Sequence, residues 1–170
     1  MRTVRPQDVV AEFGSPIVLI SCGQFTDSER RLGQTLAALV SELTPYTGYL
    51  AQNQTSLAAL SQHVFETLNS AVGFVAVMHH RGTVKTPHGE HLRDSLWAEQ
   101  EIAIAAFLTA QGRHLPVALY LQNGIVLEGA RQQLILNPVE FDDNAEVVGD
   151  FKRRVVALFP AASGTAARTQ

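Results

Sequence analysis

Three stretches of the chain are apolar at nearly every position: Ile17–Ser21 (IVLIS), Val72–Met78 (VGFVAVM) and Leu115–Leu121 (LPVALYL). Short runs of this kind, without alternation, read as strands buried on both faces, the pattern of a parallel sheet. Weaker runs at Gly48–Ala51 and Leu134–Pro138 predict two further strands. Between them the period lengthens to that of a helix. Thr26-Asp-Ser-Glu29 has the form of a capping box, and Leu32, Leu36, Leu39, Val40 and Leu43 follow at helical spacing. Thr55 or Ser56 caps a second helix with Leu57, Leu60, Val64 and Leu68 inward. Asp94 or Ser95 caps a third, which runs through Ala110 and stops near Gly112. A short helix is expected over Val126–Gln133. The last opens at Asp143 or Asn144 and turns Val147, Val148, Phe151, Val155 and Leu158 inward.

Strands alternating with helices in this order predict an α/β fold with three layers: a five-stranded parallel sheet with helices on both faces. Residues 1–15 then form an N-terminal extension, 16–160 the domain and 161–170 a flexible tail. Ligands of such sheets bind beyond the carboxyl ends of the strands. Those ends are Ser21–Phe25, Gln52–Gln54 and the long connection from His79 to Asp94. The connection has little apolar material and is expected to be mobile, with Arg81, Lys85 and Arg93 available to a pyrophosphate.

Composition narrows the class without naming it. The 170 residues suit one domain with a real core, and a net charge of −3 gives no reason to expect a nucleic-acid or membrane surface. Cys22 is the single cysteine, so an internal disulfide is excluded and a reducing, cytoplasmic setting fits. The first residues, Met1–Phe13, lack the apolar core of a signal peptide. His79, His80, His88 and His91 match no standard zinc spacing, so no metal site is expected.

One residue breaks the apolar pattern. On a wheel of about 100° per residue, Trp97, Glu101, Ile104, Ala105 and Leu108 share one face of the third helix, while Glu99 points away. A carboxylate on that face must be paired, hydrogen-bonded or more readily protonated than in water. Arg93 or backbone donors could satisfy it structurally. Equally, a buried carboxyl beside a ligand crevice marks a candidate active site, with Trp97 one turn away to exclude water.

The segment Asp94-Ser-Leu-Trp97-Ala-Glu-Gln-Glu101-Ile-Ala resembles the Trp-x-x-x-Glu region of TIR domains that cleave NAD. Ile17–Ser21, with its following loop and acidic cap, resembles the first TIR strand. The resemblance spans about Pro16 to Phe159 and implies a flavodoxin-like TIR fold with Glu101 as the catalytic residue. It further implies NAD as substrate, no bound cofactor, an active homo-oligomer, and work beside a separate effector or sensor in bacterial antiviral defence or nucleotide signalling. The chain departs from the pattern at Gln52–Ser56, which lacks the Pro-Gly of interaction-type TIR domains. Asp94-Ser95 and Glu101-Ile102-Ala103 also echo, with one extra residue, the catalytic run of nucleoside 2-deoxyribosyltransferases. A nucleoside transferase or hydrolase and a non-catalytic, self-associating TIR adaptor are therefore the alternatives.

Chemistry separates the two enzymes. Cleaving a glycosidic bond develops positive charge on the sugar, which a carboxylate beneath it stabilises. The nicotinamide of NAD is already cationic and leaves neutral, so one carboxylate suffices; a nucleoside base leaves better when protonated. Asp94 or Glu90 could supply that second carboxyl. Around Glu101, the expected substrate contacts are Trp97, Ser95, Arg81, Phe25 as a stacking ring, and Ser21, Cys22 and Gly23 at the end of the first strand. Cys22 is expected to be a small buried residue, not a nucleophile.

Overall fold

The structure, a computed structural model, describes residues 15–50, 65–87, 89–126 and 138–161. In chain order these form β1 (Ile17–Cys22), α1 (Asp27–Leu43), β2 (Thr47–Leu50), a helical turn over residues 65–70, β3 (Gly73–Met78), β4 (Gly82–Thr86) and β5 (Gly89–Arg93). Then follow α2 (Leu96–Ala110), β6 (Val117–Gln122), β7 (Val139–Phe141) and α3 (Asn144–Leu158).

Five strands make one parallel sheet in the order β2-β1-β3-β6-β7. β1 and β3 lie at its centre, and their side chains alternate between two cores. Ile17, Leu19, Phe74, Ala76 and Met78 pack against Leu68 and the Ile102–Ala106 stretch of α2. Val18, Ile20, Val75 and Val77 pack on the other side against Leu32, Leu36 and Val40 of α1 and Val147, Phe151 and Val155 of α3. The result is the three-layer α/β architecture expected from the sequence, with the flavodoxin-like strand order. No helix among the described residues is long and apolar enough to cross a membrane.

Local rules account for the helix starts. Thr26 caps α1 through Glu29 N–H at 3.2 Å, Ser95 caps α2 through Ala98 N–H at 3.3 Å, and Asp143 forms a full capping box with Glu146 on α3. Gly112, at φ +83°, follows α2 where its stop is expected. On α1 only half of the expected box forms. The Glu29 carboxylate does not return to Thr26 but accepts from Phe25 N–H at 3.0 Å and from Arg81.

Other expectations fall outside the described residues or are corrected. The strand read at Leu134–Pro138 lies largely outside the described residues, and the fifth strand of the sheet is Val139–Phe141. The helix expected over Val126–Gln133 and most of the one capped at Thr55 or Ser56 also fall outside them. The connection from His79 to Asp94 is not an irregular loop. β4 and β5 pair antiparallel within it, Gly82 opposite Arg93, so its backbone groups satisfy each other. The hairpin is also tied to the domain: Val126 N–H donates to Leu92 O at 3.3 Å, and Leu92 packs against the α2-side core.

The α2 stripe is rotated from the expected face. Ala98, Glu101, Ile102, Ala105 and Ala106 are buried; Ile104 and Leu108 are only partly so, and Trp97 is 36% exposed. The helix is apolar on most sides, so hydrophobic contrast alone does not fix its orientation. Ala105 and Ala106 lie in the core on this side of the sheet, and Trp97 stands at its rim.

Candidate functional site at the carboxyl ends of the strands

β1 ends in Ser21 and Cys22, which the strand period sends to opposite faces. Ser21 is buried on the α2 side, and its hydroxyl donates to Oε2 of Glu101. Glu101 is 7% exposed. Burial pushes its carboxyl up to about 6, against the pull of the Ser21 hydrogen bond. Arg93, the structural partner considered for it, is committed elsewhere, forking onto Glu99 with Nη2–Oε2 at 2.7 Å and Nε–Oε1 at 3.2 Å. Glu99 is therefore not the free solvent-facing carboxylate that the helical wheel suggests.

A second buried carboxyl stands at the hairpin's return. Asp94 is 4% exposed. Burial raises it to about 7, although backbone N–H groups of Ser95 and His79 and the charge of Arg81 oppose the shift. Both Asp94 and Glu101 thus hold protons more tightly than free carboxyls. The sequence offered Asp94 only as a cap or a loop carboxyl; its burial is created by the hairpin, which no local pattern announces.

On the α1 side, Arg81 grips Glu29 with both arms, Nη1–Oε1 at 2.9 Å. Burial favours the protonated form of Glu29, but Arg81 and the Phe25 N–H outweigh it and hold the carboxyl below its usual range. Arg81 is therefore not free for a pyrophosphate in this state. Its guanidinium lies 5.7 Å from the ring centroid of Phe25, which is otherwise 82% exposed. Gly23 makes room for the pair: a Cβ there would stand 2.5 Å from Glu29 Oε2. Lys85 pairs with Glu90 at 3.0 Å on the exposed hairpin. The Cys22 thiol contacts Glu29 O at 3.5 Å and is pushed up to about 12 by burial and by the charges of Glu29 and Asp94, so it is no nucleophile.

The structure thus brings Ser21 onto Glu101, and Phe25, Gly23 and Arg81 around Glu29. Ser95 is engaged as the α2 cap, and Trp97 stands at the rim with its neighbour Leu96 61% exposed. A cleft of about 300 Å³ opens beside the Glu29–Arg81 pair, between the starts of α1 and α3, lined by His79, Gln122 and Asp142 among others. Glu101 does not line it. His79, Gln122 and Asn144 were not singled out as binding residues by sequence, because each is an ordinary polar residue at a strand or helix end.

No family model and no curated protein matches the chain. A solved structure does: the crystal structure of a conserved protein from Enterococcus faecalis V583 superposes with a TM-score of 0.51 at 15% identity, covering 82% of this chain and 99% of that one. At that identity the likeness establishes the fold alone: this chain is a three-layer α/β domain with a parallel five-stranded sheet.

Proposed function

We propose that the chain cleaves the nicotinamide–ribose bond of NAD in the manner of TIR-type glycohydrolases and cyclases, with Glu101 stabilising the ribosyl cation. The observation that carries this reading is the Ser21–Glu101 contact: a buried carboxyl fixed at the carboxyl end of a central parallel strand. With a pKa of about 6, Glu101 is mostly ionised at neutral pH and poorly hydrated. A charge so placed interacts strongly with the positive charge of an oxocarbenium-like transition state. The resemblance around Trp97 and Glu101 supplies the choice of NAD. It also supplies an assembled, active form and a place in bacterial defence or signalling. The test is NAD consumption across a range of protein concentrations, with chromatographic identification of products. No consumption at any concentration would sink the reading.

Asp94 favours a second reading. A carboxyl that titrates near 7 can donate a proton at neutral pH, which is what the departing base of a neutral nucleoside needs. On that reading the chain is a nucleoside hydrolase or deoxyribosyltransferase, Glu101 acting on the sugar and Asp94 on the base. Faster base release from deoxyinosine or thymidine than from NAD, abolished by Asp94→Asn, would select it.

A further inference from the structure

We propose that Ser21 is a positioning residue for Glu101: its hydroxyl holds Oε2 of the carboxylate, leaves Oε1 to the sugar, and does not itself touch substrate. This rests on the reading of Glu101 as the reacting group, but the hold on the carboxylate is measurable without any reaction.

Glu101 and Ser21 are both buried. The strand period puts Ser21 on the same side of β1 as Leu19, where the core is hydrocarbon from Leu19, Ala76, Ile102 and Ala105. Such neighbours offer a carboxylate no donor, and a buried carboxylate without one is costly. The charged groups at this end of the sheet are engaged elsewhere. Arg93 holds Glu99, Arg81 holds Glu29, and Asp94 accepts from the backbone of Ser95 and His79. Burial and the Ser21 hydroxyl alone set the proton affinity of Glu101, and they act in opposite directions. The hydrogen bond is charge-assisted only while Glu101 is ionised, so it favours the form that stabilises a ribosyl cation.

The donor is fixed before any ligand arrives. Ser21 stands in the ladder opposite Ala76 of β3, so its backbone keeps its place in the sheet. Glu101 is carried by α2, whose start Ser95 caps. The contact therefore ties a carboxylate on a helix to a central strand, across 80 residues of sequence. A glutamate side chain turns about several bonds, and holding one of its oxygens removes much of that freedom. Near-attack geometry depends on such restraint. A serine hydroxyl has one proton to give. Once it goes to Oε2, none is left for a substrate, so the direct substrate contact expected for Ser21 from the sequence is replaced by an indirect role.

The experiment follows the Glu101 side-chain carboxyl of the full chain by carbon NMR from about pH 4 to 9, its signal assigned by its loss in Glu101→Gln. Ser21→Ala removes the donor and leaves a gap; Ser21→Cys, kept reduced, fills the space with a weak donor. In both, the titration midpoint is expected to move up by about one pH unit or more. Ser21→Thr keeps the hydroxyl and should return the midpoint to the wild-type value. With NAD, the acid limb of kcat should follow the moved midpoint in the Ala and Cys variants. At about pH 9, where Glu101 is ionised again, kcat should stay roughly tenfold down while KM changes less than about twofold. A raised KM with kcat recovered would make Ser21 a substrate contact and overturn the proposal. So would a midpoint moved in Ser21→Ala but not in Ser21→Cys, which would assign the effect to packing. Wild-type protein that leaves NAD intact sinks the NAD reading, whereas an unmoved midpoint in both folded variants sinks this one, so the two failures are read separately.

Discussion

Holding Glu101 ionised inside the domain has an energetic consequence that can be measured without any substrate. Its folded-state pKa of about 6 lies above the ordinary glutamate value of 4.5. Between those values the folded protein binds more protons than the unfolded chain, so this residue lowers stability as pH rises through that window. The loss is complete above about pH 6 and amounts to roughly 2 kcal/mol. Glu101→Gln removes it while keeping an acceptor for Ser21. The variant should therefore gain roughly 2 kcal/mol relative to wild type on going from pH 4.5 to 7.5, as read by urea unfolding at both pH values. The same substitution should cut NAD cleavage on the order of 10²–10³-fold, and wild-type cleavage should decline below about pH 6 as the carboxyl protonates. A variant that retains a third of the turnover would remove Glu101 from the mechanism. Glu101 was legible because a carboxylate interrupts an apolar helix. The exposure of Trp97 was not, since nothing in a nearly all-apolar helix says which side meets the sheet.

Among the elements, the hairpin and the caps bear the clearest expectations. Arg81 sits just ahead of β4 but holds Glu29 of α1, whose side chain is 7% exposed. Arg81→Ala takes the cation from that buried carboxylate and leaves it the Phe25 N–H, which should cost about 2–3 kcal/mol in denaturant unfolding. Lys85→Ala, on a side chain 83% exposed, should stay within about 0.5 kcal/mol. Equal effects would mean that the Glu29–Arg81 pair does not anchor the hairpin. Ser95→Ala and Asp143→Ala each remove a helix cap and should each cost about 1 kcal/mol, with Ser95→Ala also loosening the start of the helix that carries Glu101. Caps were readable because they are spelled within four residues. The hairpin was not: Gly82–Thr86 and Gly89–Arg93 are polar, with Val84 and Leu92 as their few apolar side chains, and antiparallel pairing needs no apolar run. Glu29 is the instructive error. At the third position of a helix it fits a capping box, and only the tertiary arrival of Arg81 reassigns its carboxylate.

At the scale of the whole molecule, the sheet and its two cores followed from the order of apolar runs, because each run must be covered on both faces. How closely a helix approaches the sheet is set by single small residues. Gly48 of β2 is such a place: a Cβ there would stand 2.1 Å from the backbone oxygen of Ala37 in α1. Backbone cannot yield as a flexible side chain does, so Gly48→Ala should cost more than about 2 kcal/mol, measured by thermal or urea unfolding. A variant as stable as the wild type would show that α1 can slide away from β2.

The alternation along β1 also limits how this chain can vary by descent. Ser21 faces α2 and Glu101, whereas Cys22 belongs to the α1 side, and five successive residue pairs lock β1 to β3. Loss or gain of one codon within β1 would exchange those two faces beyond the lesion, offering a thiol to the glutamate and misplacing Ile20 or Leu19 in the wrong core. Length changes can instead be absorbed at the turn joining β4 to β5, where the Gly89 Cβ position has no neighbour within 4 Å. In a lineage of such proteins, β1 should change by substitution alone, while the hairpin's tip records insertions and deletions.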